Sequence, residues 1–183
     1  MFTPLHRVLG VGPTPDLTYG MLVDAVAGKV VETAELEWKK ALPGPGPDGN
    51  AEIAKDFAAM ANSGGGMIVY GVAEDGEARA EDLHDIGETG PLEQRLRLAS
   101  YSGARPAVTT STFWPLGTDG GRALAVVIRA SRDAPHLVHR QDQWFRVPVR
   151  NGRHRCQSGM WPGLAQLTSR RPRLSSYAFS VDS

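Results

Sequence analysis

The sequence predicts a single α+β domain with one mixed sheet and flanking helices. Two continuous apolar runs, MIVYGVA at 67–73 and RALAVVIRA at 122–130, are typical of strands that are buried on both faces. Apolar residues also recur at helical spacing over 50–62 and over 91–102. The strands and helices mix without strict alternation, which favours an α+β arrangement over a repeated βαβ fold.

Size and composition limit the organisation of the chain. Its 183 residues, of which 41% are hydrophobic, are enough for one domain with an ordinary core. We expect that domain at 16–169, between an N-terminal extension at 1–15 and a flexible tail at 170–183. The single cysteine, Cys156, excludes an internal disulfide and a cysteine-rich zinc site. Without a membrane-length apolar run or a signal peptide, the chain is expected to be soluble and cytoplasmic.

Capping and turn residues place the remaining elements. Asp16 is positioned to cap a helix that ends near Gly28, and 30–39 (VVETAELEWK) has the composition of a strand. Asn50 is positioned to cap the helix at 50–62. The later elements are the helix at 91–102, strands at 107–114 and 122–130, an edge strand with Pro148 at 143–150, and a short helix at 161–169.

Three glycines, Gly64, Gly65 and Gly66, stand between the second helix and the strand that follows it. Nucleotide-binding loops run in the order strand, glycine loop, helix, and place the phosphate at the helix N-terminus. Here the order is reversed, and a helix C-terminus carries unpaired carbonyl groups that repel phosphate. We therefore interpret the glycines as a turn that ends the helix.

The charges are segregated along the chain. Residues 1–100 hold 16 acidic and 8 basic side chains, whereas 101–183 hold 4 and 12, and all twelve of the latter are arginine. This distribution favours a basic surface beside an acidic pocket, although an arginine-rich codon bias with charges spread evenly over the fold would produce it equally well. Four of these arginines follow two aromatic residues and are predicted to contact nucleic-acid phosphates: Arg146, Arg150, Arg153 and Arg155.

Several segments share one spacing with a known family. The series ETAELEWK, EIAKDFAAMANSGGGMIVYGV, an EDG turn and WFRVPVRNG resembles the Schlafen AlbA-like domain family over about residues 16–167. The resemblance implies a compact α+β domain that is associated with nucleic acid. Some members of the family cut transfer or ribosomal RNA with a metal-dependent site of three carboxylates, and many bacterial members are labelled DNA-binding or ATP-binding.

The family pattern assigns candidate residues. Its first two carboxylates fall on Glu32 and Glu37, its lysine on Lys39, and its third carboxylate on Glu74, with Asp75 beside it. The implied metal ligands are Glu32, Glu37 and Glu74, and the implied ion is Mg²⁺ or Mn²⁺, which prefers hard oxygen ligands. Glu32 and Glu37 have opposite strand parity, so they converge only if the chain bends between them. Without the resemblance, these acids would be interpreted as a solvated edge strand.

Two classes of function follow from this resemblance. The leading hypothesis is a metal-dependent endoribonuclease that acts on structured RNA such as tRNA through Glu32, Glu37, Lys39 and either Glu74 or Asp75. The alternative is a non-catalytic DNA-binding, RNA-binding or regulatory module, and ATP binding is a third option that rests on family labels alone. The Schlafen nuclease core has two related lobes and this chain has room for one, so a homodimer is expected.

Overall fold

The computed structural model describes residues 2–12, 16–118, 121–140 and 143–146. The predicted helix at 161–169, the tail at 170–183 and Cys156 lie outside these ranges. The elements are α1 (Pro4–Leu9), α2 (Tyr19–Ala27), β1 (Leu36–Lys39), α3 (Pro47–Asn62), β2 (Gly65–Tyr70), β3 (Val72–Glu74), β4 (Ala80–Leu83), α4 (Thr89–Ser102), β5 (Ala104–Arg105), β6 (Ser111–Thr118), β7 (Gly121–Arg129), β8 (Leu137–Arg140) and β9 (Gln143–Arg146).

A four-stranded mixed sheet forms the centre of the fold, with the strand order β1-β2-β7-β6. The β1 and β2 strands are parallel, whereas β2, β7 and β6 are joined by antiparallel pairing. Strands β3 and β4 form a separate hairpin, and β5, β8 and β9 form a small second sheet. The predicted α+β domain with a mixed sheet and flanking helices is confirmed. Among the described residues, no helix has the length and apolar character needed to cross a membrane.

Each face of the main sheet carries a hydrophobic core. Every residue of β2 is buried, and alternate side chains enter opposite cores because successive side chains of a strand point to opposite faces. Ile68 and Tyr70 belong to the core that also contains α3 and α4 residues, whereas Met67 and Val69 pack with residues of α1 and α2 and with Trp38. The central buried strand predicted from the apolar run is therefore confirmed.

The first two helices begin differently from the prediction. The predicted N-terminal extension contains α1, whose Leu5 is completely buried in the core. The N-cap of α2 is Thr18, so the prediction that Asp16 caps this helix is wrong. Leu17, between them, is buried, which keeps this stretch extended until Thr18. Gly28 follows the last residue of α2, as predicted.

The α3 helix begins three residues earlier than predicted. Its N-cap is Gly46 and its first residue is Pro47, a favoured first position because the missing N–H group of proline needs no partner there. The prediction of Asn50 as the cap is therefore wrong. The Oδ1 atom of Asn50 instead accepts a hydrogen bond from Nε of Arg95, at 3.1 Å, which ties the start of α3 to α4.

The strand predicted at 30–39 is shorter in the structure, where β1 covers only its last four residues. Thr33 and Leu36 exchange backbone hydrogen bonds of 3.1 and 3.4 Å. The Thr33 hydroxyl also accepts a hydrogen bond from the backbone N–H of Glu35, at 3.2 Å. This local turn competes with strand structure, as threonine hydroxyl groups commonly do. The preceding segment leaves the sheet, and Val31 forms an isolated bridge with Arg79 beside the β3–β4 hairpin.

The later elements follow the prediction with two differences. The helix at 91–102 and the strand at 122–130 are confirmed within two residues. The strand predicted at 107–114 lies at Ser111–Thr118, because Pro115 does not end it. As β6 is at an edge of the sheet, the missing proline N–H is tolerated there. The edge strand β9 is described through Arg146, and Pro148 lies outside the described ranges.

Alanine at Gly65 is expected to destabilise the fold more than alanine at Gly64. Both have positive φ, +92° and +95°, so a backbone strain of about 1–2 kcal/mol is common to both substitutions. A Cβ atom at Gly65 would also lie 2.8 Å from the Ile128 oxygen, whereas Gly64 has open space around it. Urea unfolding should show an additional loss of about 1–3 kcal/mol for Gly65→Ala. Equal losses would contradict the close approach of β2 to β7.

Candidate functional site

An ion-pair cluster lies on the α3 side of the sheet, where β1 and β2 end. The Nζ atom of Lys39 is 2.8 Å from Oε1 of Glu37 and 3.1 Å from Oδ2 of Asp56. The Nζ atom of Lys55, which also contacts Glu52, is 3.7 Å from Oδ1 of Asp56. Two carboxylates therefore share one ammonium group. We refer to Glu37, Lys39 and Asp56 as the Lys39 cluster.

Strand register explains why these side chains meet. Glu37 pairs with Ile68 and Lys39 pairs with Tyr70 in the parallel ladder. Paired residues of adjacent strands share a face of the sheet, and Ile68 and Tyr70 belong to the core beneath α3. Asp56 belongs to α3 and is only 7% exposed, so it lies on the buried side of that helix. The polar residues of β1 are thus directed toward a buried carboxylate.

The charges of the cluster depend on one another. Burial raises the pKa of Asp56 and the neighbouring Glu37 carboxylate raises it further, whereas the ammonium groups of Lys39 and Lys55 oppose this rise. Burial alone would lower the pKa of Lys39, but the carboxylates of Asp56 and Glu37 outweigh it and raise that pKa above its ordinary value. Lys39 is therefore held as an ammonium ion by its two carboxylate partners.

The Tyr70 hydroxyl is a further buried polar group near the cluster. It has no hydrogen-bond partner within the described part of the chain. Burial, followed by the charges of Asp56 and Glu37, raises the pKa of Tyr70 well above its ordinary value. One buried donor close to two carboxylates is therefore left without an acceptor, which is uncommon in folded proteins.

Glu32 has a structural contact at the edge of the sheet. The turn between Thr33 and Leu36, which precedes β1, supplies the bend that brings Glu32 back to the backbone beside Glu37. The Oε1 atom of Glu32 accepts a hydrogen bond from the backbone N–H of Trp38, at 2.8 Å. Because β1 is an edge strand, this N–H has no strand partner, and the carboxylate satisfies it.

Glu74 and Asp75 belong to the β3–β4 hairpin. Glu74 pairs with Ala80 at a register shift in the ladder. The Asp75 carboxylate accepts hydrogen bonds from the backbone N–H groups of Glu77 and Arg79, at 2.8 and 3.0 Å, and from Nε of Arg79, at 2.8 Å. The backbone N–H of Arg79, and then its guanidinium group, lower the pKa of Asp75 to about 2. These contacts show that Asp75 closes the hairpin turn.

The fit of a divalent ion can be judged from these contacts. Mg²⁺ requires near-octahedral oxygen ligands at about 2.1 Å. Among the described residues, no three Asp, Glu, His or Cys side chains are placed to hold one ion together. Glu37 faces an ammonium group and Glu32 faces a backbone N–H group. The predicted set of Glu32, Glu37 and Glu74 therefore does not form a preassembled metal site.

The predicted arginine contacts lie at the limit of the described residues. Arg146 is the last residue of β9, and its backbone pairs with Leu137 of β8. Arg150, Arg153 and Arg155 fall outside the described ranges, so the prediction that they contact nucleic acid stays a prediction.

Asp56 is the candidate residue that the sequence prediction missed. It lies in α3 among buried apolar neighbours that include Ile53 and Phe57. An aspartate is rarely buried unless its charge is paired. Its position on the apolar face of a helix was therefore a usable signal, but nothing in the sequence identified its partner on β1.

Comparisons with known proteins give a family match and two similar solved structures. Residues 32–157 match the family Schlafen, AlbA_2, and none of the curated proteins matches the chain. The DIP2311 protein of Corynebacterium diphtheriae aligns with a TM-score of 0.45 and 19% identity over 75% of this chain and 26% of that one. This chain thus spans about a quarter of the DIP2311 protein.

A second solved structure is the N-terminal domain of a RecG-related protein from Nitrosomonas europaea. It aligns with a TM-score of 0.48 and 18% identity over 63% of this chain and 74% of that one. The family match alone covers more than half of the 183 residues. The chain therefore belongs to the Schlafen AlbA_2 family.

Proposed function

We propose that this chain is a nucleic-acid-binding domain that holds RNA or DNA mainly through backbone phosphates. Membership of a nucleic-acid-associated family, matched over residues 32–157, is the observation that carries the proposal. The segregated charge supports it, because the described residues between 104 and 140 include five arginines and a single acid, Asp133. Arginine is well suited to phosphate recognition because its planar group donates two parallel hydrogen bonds.

The proposed contact surface consists of Arg105, Arg129 and Arg132, which we call the arginine end. All three side chains are exposed. The backbone N–H of Arg129 donates a hydrogen bond to the oxygen of Thr110, at 3.0 Å, so the chain five residues after Arg105 adjoins the end of β7. Exposed cations on neighbouring segments are suited to follow a phosphate backbone without reading its bases.

The small second sheet places Arg146, one of the arginines predicted from the sequence, in the same row as Arg105. Leu137 pairs with Arg105 on one side and with Arg146 on the other. The two arginine backbones therefore lie in one row, two strand spacings or about 10 Å apart. Arg146 is the last described residue of this segment.

The arginine end and the Lys39 cluster lie at opposite ends of β2. Arg129 pairs with Gly65 at the start of this strand, and Lys39 pairs with Tyr70 at its end. Five residues of extended chain separate these rows by about 17 Å. Arg129 is therefore distant from Glu37 and Lys39, and phosphate binding at the arginine end can be tested separately from chemistry at the cluster.

Replacing Arg129 and Arg132 together by alanine is expected to weaken binding to RNA and DNA of every sequence alike. Each lost phosphate contact should reduce the slope of log affinity against log salt by about 1. Gel-shift titrations at several salt concentrations measure both effects. The matched control is Arg122→Ala, because Arg122 is exposed on the same strand near its opposite end. Unchanged affinity in the double variant, or an equal loss in the control, would contradict the proposed surface.

Metal-dependent RNA cleavage is the second candidate function. The observation that favours it is the bend between Thr33 and Leu36, which brings Glu32 to the backbone next to Glu37. When bound, Mg²⁺ or Mn²⁺ would supply Lewis-acid stabilisation of the phosphate. Glu32 would first have to give up its contact with Trp38, and Glu37 its contact with Lys39, so the binding module is the better-supported proposal.

Incubating the purified protein with bulk tRNA and Mn²⁺ distinguishes the two candidates. The binding proposal predicts a retarded complex with intact RNA in both the presence and the absence of EDTA. Cleavage that EDTA stops, and that Glu37→Gln abolishes while leaving the retarded complex in place, would establish the nuclease instead. The glutamine keeps the size of the side chain, so circular dichroism should be unchanged.

The homodimer and ATP binding remain separate proposals with less support. A two-fold dimer would rebuild the two-lobed core of the family, and light scattering would show it as twice the monomer mass. For ATP, the glycine run follows the C-terminus of α3 and starts β2. This order lacks the helix N-terminus that phosphate-binding loops use.

A further inference from the structure

We propose that the Lys39 ammonium group is the resident cation between Glu37 and Asp56 and closes this pair of carboxylates to divalent metal ions. Glu37 and Lys39 pair with the last residues of β2, whereas Arg129 of the arginine end pairs with its first residue. The proposal therefore does not depend on the proposed nucleic-acid binding, and either proposal can fail alone.

The ammonium nitrogen of Lys39 already occupies the position that a bridging ion would take. Lys39 Nζ lies 2.8 Å from Glu37 Oε1 and 3.1 Å from Asp56 Oδ2, between the two oxygens that a bridging ion would need. A divalent ion would bind the same oxygens at about 2.1 Å. The ion and the ammonium group cannot occupy this position together, so metal binding would require Lys39 to leave.

Two protein cations already face the carboxylate of Asp56, although each is shared with a second carboxylate. One carboxylate oxygen faces Lys39, and the other lies 3.7 Å from Nζ of Lys55. Two nearby positive charges repel an incoming divalent ion. They also offset part of the negative charge that makes a carboxylate pair a strong ligand for hard cations.

The Tyr70 hydroxyl is a buried donor in the same region. Both carboxylates lie close enough for their charges to raise the pKa of Tyr70, yet its hydroxyl finds no acceptor within the described residues. The buried Oδ2 atom of Asp56 likewise makes no hydrogen bond within the described residues, so the ammonium charge of Lys39 at 3.1 Å is what offsets its own charge. Without Lys39, the partly buried Glu37 and the buried Asp56 would lose the cation that they share.

Removing the ammonium group should therefore create a metal site. In Lys39→Met, the stem of the side chain is largely kept, and a divalent ion would relieve the repulsion between Glu37 and Asp56. Electron paramagnetic resonance of free Mn²⁺ should show binding about tenfold tighter or more than in the unmodified protein, whose affinity should be on the order of 1 mM or weaker. Mn²⁺ should also raise the melting temperature of Lys39→Met and not that of the unmodified protein.

Two control variants identify the source of the new site. Lys40→Met removes an exposed neighbouring lysine and should leave Mn²⁺ binding unchanged. The double variant Lys39→Met/Asp56→Asn removes one of the two proposed ligands and should lose the gain in affinity. A gain in the Lys40 variant, or a gain that survives in the double variant, would overturn the assignment of the site to Glu37 and Asp56.

A measurement on the unmodified protein keeps the proposal testable if the Lys39 variants fail to fold. Mn²⁺ broadens the nuclear magnetic resonance signals of nearby atoms, so the Lys39 Nζ and Tyr70 ring signals report an ion in the cluster. We expect them to remain as sharp as the signals of exposed Lys40 up to about 1 mM Mn²⁺. Selective broadening of the cluster signals below that concentration, abolished by Asp56→Asn, would overturn the proposal.

Discussion

The fold depends on the pairing of β2 with a parallel strand on one side and an antiparallel strand on the other. All six residues of β2 are buried, and its side chains supply both cores. Since a buried strand must satisfy its backbone groups with neighbouring strands, β1 and β7 are both required. The helices α3 and α4 then cover one face, and α1 and α2 contribute to the core on the other.

This pairing also determines which polar groups are buried. The parallel register directs Glu37 and Lys39 to the face of the sheet that α3 covers. There Lys39 contacts Asp56 of α3. Removing a charge from water costs several kcal/mol unless it is paired. The ammonium group of Lys39 offsets part of the negative charge of the two carboxylates. Because these carboxylates already face an ammonium group, they do not form a preassembled set of metal ligands, and none is present among the described residues.

The sequence predicted the central parts of the fold well because their patterns are local. The apolar runs that form β2 and β7 are typical of buried strands, and the apolar residues of α3 recur at helical spacing. The strand at 30–39 was predicted too long because a single hydroxyl, that of Thr33, stabilises a turn that alternation does not reveal. The N-caps of α2 and α3, Thr18 and Gly46, were not predicted because a cap depends on backbone geometry that the sequence pattern does not reveal.

The candidate site was only partly predictable. Glu37 and Lys39 were named from the family pattern, whereas Asp56 was missed because its partner lies across a helix–sheet interface that sequence spacing does not specify. The segregation of charge along the chain indicated a basic surface beside an acidic pocket. In the fold, Arg129 of the arginine end instead lies about 17 Å along β2 from the row of Lys39. The counts of charge along the chain do not specify strand register, and the register places the arginine end and the Lys39 cluster at opposite ends of β2.

The spatial separation of nucleic-acid binding from the Lys39 cluster is the central claim, and backbone amide shifts test it most directly. A short single-stranded RNA is titrated into the labelled protein, and each amide is followed. The account predicts the largest shifts at Arg105, Thr110 and 129–132, with the amides of Glu37 and Lys39 unchanged. Largest shifts at Glu37 and Lys39, with Arg129 unchanged, would contradict it.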